Sequence, residues 1–159
     1  MRALILTSLC IVGLLIGCTR PPDYPDEPII EFLQFSKNPI SQGTFNEDTT
    51  FLTVSFKDGD GDIGSDTSLN FHIIDTRDGF TVPAFIIPPV PEQGTGNGIS
   101  GEITVRLFTT CCIPPAVEDA CDNDDPTIRD EVIYEVYIED RAGNKSNTIL
   151  TEPLILICN

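Results

Sequence analysis

Residues 49–57 read TTFLTVSFK, and apolar and polar side chains alternate along them with a period of two. Leu52, Val54 and Phe56 fall on one side, with Thr53, Ser55 and Lys57 on the other. Successive side chains of a strand point to opposite faces, so this pattern gives one apolar face only if the chain is extended. Working outward, the same alternation recurs. Leu69, Phe71 and Ile73 share a face within 69–75. Ile103, Val105 and Leu107 oppose Glu102, Thr104 and Arg106 within 99–109, and Val132, Tyr134, Val136 and Ile138 oppose Ile133, Glu135, Tyr137 and Glu139 within 132–139. Weaker strands are expected over 29–35, 80–87 and 147–157, where Pro83 and Pro153 point to edge positions or bulges because proline lacks an N–H for a ladder. Asp78-Gly79 suits a tight turn. No stretch carries helical spacing of useful length. About seven short strands, punctuated by Gly, Pro and Asp, predict an all-β domain over residues 29–159: a single antiparallel two-sheet sandwich.

Ahead of the strands, residues 1–18 read MRALILTSLCIVGLLIGC: Arg2, an apolar run, then a small residue before a cysteine. That is the anatomy of an export signal, too short for a comfortable membrane span. Leu15-Ile16-Gly17-Cys18 resembles the lipobox of bacterial lipoproteins. The resemblance implies a signal peptide at 1–17, cleavage before Cys18, lipid attachment at Cys18, and a lipid-anchored place in the bacterial cell envelope. Thr19 following Cys18 resembles lipoproteins sent on to the outer membrane, facing either the periplasm or the surface. Residues 18–28 then form the lipid-bearing cysteine and a linker. Its four prolines and three acids have the composition of a stiff spacer, able to reach ~30 Å at ~3 Å per residue.

The net charge of −16 excludes nucleic acid as a natural partner and leaves the acyl chain, rather than protein electrostatics, to hold the molecule to a bilayer. Six cysteines fit an oxidising compartment. With Cys10 in the signal and Cys18 lipidated, Cys111, Cys112, Cys121 and Cys158 remain. Neighbouring cysteines bridge each other only under strain. Cys111 and Cys112 are therefore expected to take different partners, one Cys121 and the other Cys158. A zinc site is the rival reading, but CxxC knuckles and a nearby histidine are absent.

The stretch YEVYIEDRAGNKSNTI, 134–149, resembles the penultimate strand, DxAGN turn and last strand of bacterial immunoglobulin-like and fibronectin-III-like modules. Together with VSFKDGDGDIG, 54–64, it is similar to lipid-anchored sandwich proteins of Gram-negative bacteria that carry Asp-Gly loops. No tryptophan is present, so the buried Trp of antibody domains has no counterpart. The resemblance implies an immunoglobulin-like Greek key, in which the loop after the second strand and the loop before the last emerge at one end. Asp58, Asp60 and Asp62 would then face Asp140 and the Asn144 amide oxygen, with Glu139 nearby. Calcium takes six to eight oxygens of this kind, so calcium or a similar hard cation is the expected cofactor. The alternative is that Asp and Gly serve only as turn residues. An EF-hand is excluded, because counting from Asp58 the sixth position is Ile63 and the twelfth Leu69. The same topology sends the loop after the fifth strand and the chain end to the opposite pole, which places Cys158 beside the loop bearing the other three cysteines. The acidic tract Asp119, Asp122, Asp124 and Asp125 in that loop reads as a solvated loop, with a second cation site or a partner surface as the alternatives.

Catalytic constellations are scarce. His72 is the sole histidine and falls on the polar side of its strand; Gly98-Ile99-Ser100-Gly101 has its second glycine one residue early for a nucleophile elbow. No catalytic residue is assigned and no enzyme activity is expected. The expected function is a membrane-anchored binding or assembly module that contacts an unidentified envelope protein or glycan, with Phe80, Phe85 or the IIPPVP stretch (86–91) as candidate contacts. A structural spacer or subunit of an envelope complex, and a calcium-dependent hydrolase, are the alternatives.

Overall fold

The computed structural model describes residues 23–90, 98–113 and 127–158. The signal peptide, Cys18, Cys121 and the acidic tract near it lie outside the described residues. The elements in order are β1 (Ile29–Phe35), β2 (Ile40–Ser41), β3 (Thr49–Asp58), β4 (Phe71–Asp75), β5 (Thr81–Phe85), β6 (Ile99–Phe108), β7 (Arg129–Val132), β8 (Tyr134–Ile138), β9 (Ile149–Leu150) and β10 (Leu154–Ile157). One layer has the order β1-β3-β6, and the other comprises β5-β4-β8-β9 and β2-β10-β7. All pairings are antiparallel except β2 with β10. The molecule is an all-β, two-layer sandwich, as the alternation predicts.

Two predicted strands, 132–139 and 147–157, are each split, and β1 is followed by a two-residue β2 that the alternation does not include. The cis Asn38–Pro39 bond lies between β1 and β2, where the chain passes from the first layer to the second. Between β7 and β8 the Ile133 carbonyl turns away to accept the Thr76 N–H (3.1 Å) and hydroxyl (2.8 Å). Between β9 and β10 Pro153 cannot donate, and Thr151 and Tyr134 instead exchange bonds of 2.9 and 3.0 Å. Joined across these breaks, the ten elements make seven strands, the expected number, with β2 an addition to the first.

The longest ladder joins β3 to β6 over ten residue pairs, Thr49↔Phe108 through Asp58↔Ile99. It sets Leu52, Val54 and Phe56 against Val105, Ile103 and Gly101, which faces the core toward β4 and β8 of the other layer. Phe71, Ile73, Val136, Ile138, Leu154 and Leu156 are fully buried there. Fully burying side chains of this size contributes about 1.5–3 kcal/mol each. Leu69 departs from its expected inward position: β4 begins only at Phe71, and Leu69 is 55% exposed. Asn70 takes the interior instead, its side-chain oxygen accepting the Ile87 N–H at 2.7 Å.

Each pole has its own fastening. At the end where β6 and β10 finish, Cys112 and Cys158 are bridged, their Cα atoms 5.8 Å apart and 46 residues distant in sequence. This is the pairing of Cys158 with one of the adjacent cysteines; Cys111 is also disulfide-bonded. Nearby, the half-buried Arg77 guanidinium donates to Asp75 (2.6 Å), Asp130 (2.5 Å) and the Cys111 carbonyl (3.1 Å). At the opposite end the chain ahead of β1 already rests on the domain. Gly59 N–H donates to the Pro25 carbonyl at 2.8 Å, and Pro28 is buried.

Candidate metal centre

The β3–β4 loop begins where the β3 alternation delivers Asp58 inward, so its carboxylate is fully buried. Gly61, at φ 76°, then occupies the left-handed region that a side chain disfavours, and the chain curls back. That curl lets the Asp62 N–H donate to Asp58 Oδ2 at 2.9 Å. Asp62 in turn reaches the β8–β9 loop, 80 residues away, accepting the Ala142 N–H on Oδ2 at 2.9 Å. Its backbone carbonyl accepts the Arg141 N–H at 3.3 Å. In that second loop Asp140, also buried, accepts the Asn144 N–H (2.7 Å) and amide Nδ2 (2.8 Å).

One carboxylate oxygen from each of Asp58, Asp62 and Asp140 thereby falls within 4.8 Å of the other two. Among the described residues this is the one such group that could hold a metal ion. Two of its oxygens, Asp58 Oδ1 and Asp62 Oδ1, are buried with no hydrogen-bond partner. Burial raises the Asp58 pKa to about 6, with the charges of Asp60, Asp62 and Asp140 adding to the rise against the Asp62 N–H bond. Burial likewise raises that of Asp62, reinforced by Asp140 and Asp60. Like charges stripped of water and short of donors favour protonation or a bound cation, since a carboxylate left unpaired in the interior is costly.

The sequence therefore locates the pole and three of its acids. Asp60 is exposed and is not part of the group. Asn144 closes the β8–β9 turn by donating to Asp140. His72 stacks on Tyr137, ring centres 4.5 Å apart, with Nε2 3.9 Å from Glu139. The part played by the chain before β1 was not visible in the spacing. A Cβ on Gly59 would meet the Tyr24 carbonyl oxygen at 2.3 Å and the Pro25 carbonyl oxygen at 2.7 Å, and one on Gly98 would meet the Tyr24 ring at 2.7 Å. Gly59 and Gly98, the residue just before β6, are thus the seat of a strap formed by Tyr24 and Pro25.

A comparison with family models, curated proteins and solved structures finds no match to this chain. What the pole can do is therefore argued from its chemistry.

Proposed function

We propose that this chain is a non-catalytic, lipid-anchored module of the bacterial cell envelope, held at the outer membrane through an acylated Cys18. Its sandwich binds or assembles with an envelope protein or glycan, and a calcium ion at Asp58, Asp62 and Asp140 stiffens one pole. The observation that carries the cation reading is the pair of buried, donorless oxygens, Asp58 Oδ1 and Asp62 Oδ1, beside a third carboxylate from a distant loop. Calcium lies about 2.3–2.6 Å from its oxygens, so two ligands of one ion can stand ~5 Å apart; magnesium, at about 2.0–2.1 Å, would need the group to contract. The 4.8 Å spread thus suits calcium as it stands. An ion enclosed this deeply ties two loops together rather than offering itself to a partner.

The binding reading draws support from an apolar groove of about 440 Å³ between β5 and β6, lined among others by Phe80, Val82, Phe85, Leu107 and Phe108. Phe80 and Phe108 are exposed at its rims. The lipid anchor draws support from the 1–18 pattern alone. The test is thermal unfolding of the full-length chain in detergent, with millimolar calcium and then a chelator. Saturation to about 100 times Kd adds about 2.7 kcal/mol, a rise of several degrees that chelation reverses. Asp62→Ala should abolish the rise, and Asp60→Ala should keep it. An unchanged melting temperature at millimolar calcium overturns the cation site.

A further inference from the structure

A sandwich has free strand edges, and exposed edges template pairing with another chain unless something blocks them. With β7–β8 and β9–β10 joined, the described residues leave four outer edges, β1, β5, β2 and β6, and three of these are blocked. On β1, the Ile30 N–H donates to Asn147 Oδ1 (2.8 Å) and the Asn147 amide donates to the Ile30 carbonyl (2.9 Å), and the ladder slips between Phe32 and Gln34. On β5, Pro83 sits mid-strand and the register shifts between Phe71 and Ile73 of its partner. The third edge is β2, only two residues long. The fourth, β6, runs ten residues without a proline or a bulge, and among the described residues no strand pairs with its outer side.

We propose that β6 pairs antiparallel with β6 of a second copy about a twofold axis through Thr104. The carrying juxtaposition is the order of its solvent-facing side chains, Ser100, Glu102, Thr104, Arg106 and Phe108, all exposed. Centred on Thr104, every Glu102 stands opposite an Arg106, giving two symmetry-related cross-strand ion pairs. The apolar face stays continuous, with Ile103 opposite Val105. The register is selective. Centring on Ile103 or Val105 sets both charges against uncharged residues; centring on Glu102 or Arg106 sets like against like. Neither Glu102 nor Arg106 makes an ion pair among the described residues, and Arg106 lies over its own Phe108 ring, 4.8 Å from the centroid. The product is a continuous six-stranded layer, β1-β3-β6 meeting its own copy. Each chain carries a net charge of −16. That long-range repulsion is screened beyond about 8 Å at physiological salt, while contact pairs are not.

The experiment uses the full-length chain in detergent at ~0.15 M salt. Thr104→Cys places one thiol on the axis, and oxidation should give a covalent dimer that Glu31→Cys, on β1, does not. In the otherwise wild-type chain, sedimentation should show a dimer that Glu102→Arg or Arg106→Glu alone weakens roughly tenfold, since either change turns two attractive pairs into two repulsive ones. Glu102→Arg combined with Arg106→Glu should restore it. All these positions are solvent-facing, and an unchanged circular dichroism spectrum confirms that each variant folds. A wild-type chain that sediments as a monomer, or a double reversal that fails to restore association in a folded protein, overturns the proposal.

Discussion

Asp58→Asn is expected to make the cation-free protein more stable at neutral pH while removing its response to calcium. The reasoning starts from burial: the Asp58 carboxyl is fully enclosed and its pKa stands at about 6 against an ordinary 3.8. An acid whose pKa is higher folded than unfolded holds its proton more tightly in the folded state. Stability is then greatest below the unfolded value and is lost as pH rises through the folded one. At ~1.36 kcal/mol per pKa unit, charging Asp58 costs the cation-free fold on the order of 3 kcal/mol by pH 7, incurred between about pH 4 and pH 6. Asparagine keeps an oxygen for the Asp62 N–H and carries no charge. Its amide donates toward the neighbouring Asp62 and Asp140. In chelator at pH 7.5, its melting temperature should exceed the parent's by roughly 5–10 °C. The gap should close near pH 4, where the parent's Asp58 is protonated, and calcium should raise the parent alone. Thermal melts at three pH values, with chelator and with calcium, read all of this. A variant less stable than the parent in chelator at pH 7.5, yet still stabilised by calcium, would refute the electrostatic account of this pole.

Two further outcomes follow from the other fastenings. Gly59→Ala puts a methyl group where the Tyr24 and Pro25 carbonyl oxygens lie at 2.3 and 2.7 Å, so the strap must lift; hydrogen exchange of the residue-59 amide, which donates to the Pro25 carbonyl, should quicken several-fold while the β3–β6 ladder stays protected. Cys158→Ser opens a 46-residue loop, which by chain entropy is expected to cost about 4 kcal/mol. Reducing agent should lower the melting temperature of the parent more than that of the variant.

The parts of the fold legible in the sequence are those governed by a period of two. TTFLTVSFK, the 99–109 stretch and the 132–139 stretch each bury the set their alternation assigns. What was not legible depends on contacts far apart in the chain. Leu69 fits the alternation, yet Asn70 finds a buried partner in the Ile87 N–H and the strand starts later. Arg77 joins Asp75 to Asp130, 53 residues on, and no local pattern announces that fork. At the acidic pole, alternate spacing suggested that Asp58, Asp60 and Asp62 project together. The positive φ of Gly61 breaks that extended geometry, bringing Asp58 and Asp62 inward and leaving Asp60 outside. The meeting with Asp140 followed from topology, whereas Asn144 serves its own turn.

The strap has a mechanical consequence. With Tyr24 and Pro25 seated over Gly59 and Gly98, an anchor at Cys18, as proposed above, would leave five residues, 19–23, to add reach, at most ~18 Å at full extension. Under that proposed anchoring, the end bearing Asp58, Asp62 and Asp140 would face the anchor and the Cys112–Cys158 end would stand outermost. Tension entering through that segment would load the Pro25–Gly59 bond and the Asp62–Ala142 contact between the two loops before it could peel β1 from β3.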